Sequence, residues 1–168
     1  MEAPAADHRG DLIGLYDRAV GEVHGYLARR CPASDADDLT AETFMAAVDS
    51  IERGAVDRVT TAWLVGIARH KLVDHWRRLE RDQRRLRAVE GTLQSEDDPW
   101  DPVVDRRVAD ETLARLKPMH RLVLSLKYLD ELPVAEIAGL IERSPNGVEA
   151  LLTRAKAEFR VAYNEGVA

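Results

Sequence analysis

The chain has 168 residues, 45% hydrophobic and 32% charged, enough apolar material for one or two small domains with their own cores. A single cysteine, Cys31, excludes a disulfide framework and a thiolate zinc cluster, and no apolar run approaches the roughly 20 residues of a membrane-spanning helix. The net charge of −6 argues against a free-standing nucleic-acid binder, because such proteins need a basic surface to displace counterions from phosphates.

The N-terminus carries Glu2, Asp7, His8 and Arg9 where a signal peptide would have an apolar core, so a cytoplasmic protein is expected. Leu12, Leu15, Ala19, Val23 and Leu27 recur at three- and four-residue steps and predict a first helix, ended by Pro32; Cys31 reads as a small interior residue. Ser34 is placed to cap a second helix, with Asp37 three residues on, Leu39, Phe44, Ala47, Val48 and Ile51 on its buried side, and Gly54 at its end. Thr60 or Thr61 caps a third helix from Ala62 to about Leu86 that buries Leu64, Ile67, Leu72, Trp76 and Leu79.

Residues 88–100, AVEGTLQSEDDPW, are acidic, lack apolar periodicity and contain Gly91 and Pro99, the composition of a linker. Beyond it, Asp101 and Pro102 open a helix carrying Val104, Val108, Leu113 and Leu116. Pro118 opens another with Leu122, Val123, Leu126 and Leu129, and Pro133 a third with Val134, Ile137, Ala138 and Ile141. Glu142 and Arg143 form a tight connection, and Ser144 with Pro145 starts a last helix that reaches about Tyr163 and buries Val148, Leu152, Ala155 and Phe159. With no alternating strand pattern, the expected fold is all-α: two small helical domains, 1–87 and 101–168, joined by an acidic flexible linker.

Charge is unevenly spread. Residues 62–87 hold 8 basic against 3 acidic side chains, whereas 1–61 hold 6 against 12 and 88–114 hold 2 against 8. A basic helix between acidic stretches suits a subunit that touches phosphate locally while a larger assembly supplies most of the affinity. The last two helices have the pattern of a helix-turn-helix, whose second helix lays its leading turns in the major groove. By itself that pattern fits DNA recognition and plain helical packing equally well.

Three blocks taken together resemble a known family: DADDLTAETFMAAV (35–48), TAWLVGIARHKLVDHWRR (61–78) and, after the acidic spacer, LARLKPMHRLVLSLKYLDELPVAEIAGLIERSPNGVEALLTRAKAEF (113–159). In order and spacing they are similar to the extracytoplasmic-function (ECF) group of the sigma-70 RNA polymerase sigma factors. The resemblance implies a transcription initiation factor that binds core RNA polymerase, melts the promoter minus-ten element with residues 1–87 and contacts the minus-thirty-five element with residues 101–168. It places Asp37, Asp38, Leu39, Glu42, Thr43 and Phe44 against the clamp helices of the polymerase. It places Arg58, Thr60 and Thr61 in a loop that receives an unstacked base, and His70, Lys71, Arg77 and Arg78 along the single strand. Ser144, Asn146, Gly147, Glu149, Ala150 and Leu151 would read the upstream element, with Arg154 and Lys156 on phosphates.

The resemblance further implies contact with the polymerase flap, a linker crossing the polymerase surface or entering the RNA exit path, an anti-sigma factor as regulator, and no catalytic residue, metal or cofactor. The acidity of the linker suggests that Glu96, Asp97, Asp98 and Asp101 screen the basic helix in the free protein. The chain departs from better-known relatives at His70, where many have Asn; at Glu149 and Leu151, often basic; and at Glu142, often glycine. Arginine readout of guanine is therefore not expected at the upstream element. Arg81, Arg84, Arg85 and Arg87 can equally form a solvated face paired with Glu80 and Asp82.

Other readings start from different residues. His70, Asp74 and His75 share one helix, but no matching pair elsewhere completes a di-metal bundle. A conventional helix-turn-helix regulator would use Arg154 and Lys156 on DNA, with residues 1–87 as a sensor or dimerisation domain; the net acidity and the basic stretch outside the motif oppose it. A protein that only sequesters polymerase is a third possibility.

Overall fold

A computed structural model describes residues 8–86 and 106–167. Among them the chain forms seven α-helices and one π-helical segment, with no strand. The fold divides into two compact units, residues 1–72 and 73–168, with the boundary inside a helix. No helix among the described residues is long and apolar enough to cross a membrane.

In the first unit, α1 (His8–Ala28) packs on α2 (Ala33–Glu52). Leu12, Ala19, Val23 and Leu27 are buried as the spacing required, and Cys31 is interior, its thiol donating to the Leu27 carbonyl at 3.2 Å. α1 stops at Ala28, before Pro32 is reached. The cap predicted for α2 is not formed: the helix starts at Ala33, its N-cap is Pro32, and the Ser34 hydroxyl turns to Asp35 Oδ1 at 3.4 Å. Proline in extended conformation leads into the first turn without a side-chain acceptor.

The buried side of α2 also differs from the apolar pattern. Thr40 and Thr43 are interior, because each hydroxyl is satisfied by the carbonyl one turn back, on Ala36 and Leu39, both at 2.7 Å. Phe44, Val48 and Ile51 are only half-buried. Gly54 ends the helix as expected, at φ 66°.

α3 (Thr61–Leu86) is capped by Thr60, whose hydroxyl accepts the Trp63 amide at 3.1 Å. Leu64, Ala68, Leu72, Val73 and Trp76 are its buried residues, whereas Ile67 and Leu79 are half-buried. Residues 87–105, which include Arg87, the expected linker, its acidic group and the start predicted at Asp101, lie outside the described residues.

In the second unit α7 (Pro145–Val167) packs against α4 (Arg106–Arg115), α5 (Pro118–Leu124) and α6 (Val134–Ile141). Pro118 occupies the first turn of α5 and Pro133 the N-cap of α6, as their fixed φ favours. α5 does not continue as an α-helix: Ser125–Leu129 form a π-helical turn, closed by the Asp130 amide on the Ser125 carbonyl at 3.0 Å. The wider turn leaves Leu126 buried and Leu129, expected inside, 43% exposed.

The start of α5 is tied to α7 by Glu158, which binds His120 Nδ1 and accepts the Lys117 amide at 3.2 Å. Glu158→Ala therefore removes two hydrogen bonds from a mostly buried carboxylate, and the urea midpoint should fall by an amount equal to about 1.5–3 kcal/mol.

Candidate polymerase and nucleic-acid interfaces

α2 presents an exposed face at three- and four-residue steps: Asp38, Ala41, Met45 and Asp49, with Met45 68% exposed. Of the six residues assigned to a polymerase surface, the structure brings only part to that face. Asp38 is exposed on it. Asp37 is exposed but engaged by His24 Nε2 of α1 at 2.9 Å, and Glu42 by Lys71 of α3 at 3.7 Å. Phe44 is half-buried, edge-on to Tyr16 with ring centroids 5.0 Å apart.

Leu39 and Thr43 are corrections, because at 2% and 0% exposure they lie in the interior and hold α2 in place without facing a partner. The apolar residue at the surface is Met45, which the periodicity did not single out. Its signal is its position one turn beyond Ala41 and two beyond Asp38, opposite the buried stripe.

The second candidate surface runs from the α2–α3 loop along α3. Val56 anchors the loop by burial, and Arg58 is exposed beside it. Thr60 and Thr61 are half-buried at the helix start, and the hydroxyl of Thr60 is already committed to its cap. Along α3, His70, Asp74, Arg78 and Arg81 are exposed at near-helical spacing. Glu80 accepts Arg143 Nη2 at 2.8 and 3.1 Å. Arg77 lies 3.8 Å from Asp74 and is hydrogen-bonded to Glu142. No group of three or more His, Cys, Asp or Glu among the described residues could hold a metal ion.

The third surface is the first turns of α7. Ser144 caps the helix, its Oγ accepting the Gly147 amide at 3.1 Å, and Ala138 is buried where α6 meets α7. Asn146, Glu149 and Ala150 are exposed, and half-buried Thr153, which sequence reasoning did not select, lies on the same side at i+7 with its hydroxyl donating to the Glu149 carbonyl at 3.0 Å. Leu151 is a correction: it is 4% exposed and belongs to the core between helices, so its side chain cannot meet a base. Arg154 folds onto its own helix, Nε donating to the Ala150 carbonyl at 3.1 Å, and Lys156 sits 6.0 Å from the centre of the Tyr128 ring. The turn before α7 places Glu142 in the left-handed region at φ 52°, ψ 49°, the conformation for which glycine is favoured.

The chain matches known families over both stretches that carry these surfaces. Sigma-70 region 2 matches residues 15–82, which contain α2 and α3, and sigma-70 region 4 matches residues 106–159, which contain the helix-turn-helix. The chain is 31% identical over 159 residues to the RNA polymerase sigma factor YlaC of Bacillus subtilis, covering 91% of this chain and 92% of that one. It is 32% identical over 155 residues to the ECF RNA polymerase sigma factor SigF of Caulobacter vibrioides, covering 86% and 77%. The chain is an ECF sigma factor of the sigma-70 family.

As such it is a transcription initiation factor. The fold of this sigma factor is also that of the sigma factor RpoE crystallised with the anti-sigma factor NepR from Bartonella quintana, at a TM-score of 0.54 and 15% identity, covering 95% of this chain and 98% of that one. In this sigma factor the region 2 match spans residues of α1–α3 and the region 4 match residues of α4–α7.

Proposed function

We propose that the three surfaces divide the work of promoter opening. The exposed face of α2, centred on Asp38 and Met45, binds core RNA polymerase. The loop at Arg58 and the stripe His70, Lys71, Arg77 and Arg78 on α3 hold the melted minus-ten strand. The face Asn146, Glu149, Ala150 and Thr153, with Ser144 and Gly147 at its start, meets the minus-thirty-five element. Arg154 and Lys156 serve neighbouring phosphates once released from the contacts they make in the free chain. Bond formation belongs to the core enzyme, and the sigma factor needs no metal or cofactor for its part.

The observation that carries this division is that each family region holds its own exposed polar face, on α2 and α3 in region 2 and on α7 in region 4. An acidic face with one long apolar side chain suits a protein partner, and a basic stripe suits single-stranded DNA. Glu149 can accept a hydrogen bond from the amino group of cytosine, so upstream preference lies there and not with guanine. An anti-sigma factor that covers these faces fits as the regulator; the RpoE of similar fold was crystallised in complex with the anti-sigma factor NepR.

The test is reconstituted transcription. Arg77→Ala with Arg78→Ala should leave core binding within about twofold and lower open-complex formation, read by permanganate reactivity, about five- to tenfold, the worth of two exposed phosphate or stacking contacts. A parallel loss of core binding would instead assign these residues to the protein interface.

A further inference from the structure

Within the second unit, the distal half of α3 meets the turn between α6 and α7 through two ion pairs of opposite polarity. Arg77 Nη2 donates to Glu142 Oε2, and Arg143 Nη2 donates to both oxygens of Glu80 at 2.8 and 3.1 Å. Arg77 and Glu80 stand one helical turn apart, and Glu142 and Arg143 are consecutive. A cation and an anion on the helix thus face an anion and a cation on the turn, and crossing the pairs would set like charges together, so one alignment is selected.

The backbone adds a second observation. Glu142 sits at φ 52°, a conformation that costs a side chain and that glycine adopts freely. The carboxylate carried at this strained position is the one that engages Arg77. Glu131 has a similar φ of 56°, so the strain at Glu142 is not unusual for this fold; what sets Glu142 apart is that its carboxylate meets a guanidinium. Arg77, Glu80 and Arg143 are each about a quarter exposed and Glu142 is 68% exposed, so the Arg143–Glu80 pair is partly withdrawn from water while the Arg77–Glu142 pair is reached by solvent from its carboxylate side.

We propose that this turn is an intramolecular latch, in which Glu142 and Arg143 hold the distal part of α3 and keep the Arg77 guanidinium from nucleic acid until a phosphate competes for it. The proposal rests on the role of Arg77 as a nucleic-acid contact. A guanidinium fork that is engaged by a carboxylate is not open to a phosphate on the same edge, so latch and strand exclude each other. Strand binding is then weakened by the latch equilibrium, and each pair contributes the factor of two to five that a partly exposed ion pair is worth.

The experiment measures binding of a fluorescent single-stranded oligonucleotide to the full chain at low salt by anisotropy. Glu142→Gln should tighten binding about two- to fivefold, and Glu80→Gln with Glu142→Gln about tenfold. Glu136→Gln, an exposed side chain of α6 with the same charge change, should alter it by less than a factor of about two. Adding Arg77→Ala to Glu142→Gln should abolish the gain.

Equal effects of Glu142→Gln and Glu136→Gln overturn the latch, because net charge alone then accounts for the change. A gain that survives Arg77→Ala also overturns it, since the released group is not Arg77. Failure of the functional assignment reads differently: Arg77→Ala and Arg78→Ala then leave open-complex formation unaltered, whatever Glu142→Gln does to the free chain.

Discussion

Asp38→Lys should lower the affinity of the chain for core RNA polymerase about thirtyfold or more, with helical circular dichroism and thermal midpoint unchanged. Asp38 stands exposed on α2, on the face with Ala41 and Met45, and belongs to no buried group of this helix. At the proposed polymerase interface, reversing its charge would replace an attraction by a repulsion; like-charge juxtaposition at an interface costs several kcal/mol, and about 2 kcal/mol already corresponds to thirtyfold. The fold has little to lose, since surface substitutions of this kind usually stay within about 0.5 kcal/mol. Glu42 is a poorer probe. Its carboxylate pairs with Lys71, so Glu42→Lys would set two cations together within the first unit and mix folding with binding. Core affinity measured by fluorescence titration decides the matter, and an unchanged value for Asp38→Lys would remove the α2 face from the polymerase interface. Met45→Ala on the same face should act in the same direction with a smaller effect.

Leu122→Ala should destabilise the second unit by about 2–5 kcal/mol, the cost of removing three carbons from a site that does not collapse to fill the space. Leu122 is fully buried on α5, and α5 packs on α7 and on the π-helical turn, so the loss is felt by the element that carries the helix-turn-helix. Leu129→Ala makes the same chemical change seven residues on, where the side chain is 43% exposed, and should cost less than about 1 kcal/mol. Urea unfolding followed by circular dichroism gives both values, and equal effects would show that the π-helical turn does not divide the two leucines into interior and surface. Because the chain has two units, the transition assigned to the second must be resolved before the midpoints are compared.

Much of the helical framework was legible in the residue order. Spacing of apolar residues located all of α1, α2, α3, α5, α6 and α7, and proline, threonine, serine and glycine marked Pro118, Pro133, Thr60, Ser144 and Gly54 at the ends where they act. These signals are local, since each depends on a backbone donor or acceptor within four residues. Ser34 misled because Pro32 had already set the direction of entry, and a cap residue works only when the chain before it leaves the helix start open.

Burial within a helix was less legible. Thr40 and Thr43 went inside because an i−4 carbonyl satisfied each hydroxyl, and Leu151 went inside because α7 is covered on more than one side by α4, α5 and α6. Neither fact is contained in a hydropathy stripe, which knows one face per helix. The site followed the same pattern. Asp38, Arg58, His70, Arg78, Asn146, Glu149 and Ala150 are exposed, and so is Met45, although nothing in the residue type of Met45 distinguishes an exposed side chain from one that packs.

Sequence alone determined that this protein is helical, where most of its helices begin and end, and that it belongs with the sigma factors, since all three depend on short-range chemistry and on the order of motifs along the chain. Only the tertiary structure decided which carboxylates remain open to a partner, which are taken by His24, Lys71, Arg77 or Arg143, and which apolar residues turn outward at the π-helical segment. The reason is physical: a charge or a methyl group is assigned its role by what stands within about 4 Å of it, and those neighbours are brought there from 13 to 65 residues away.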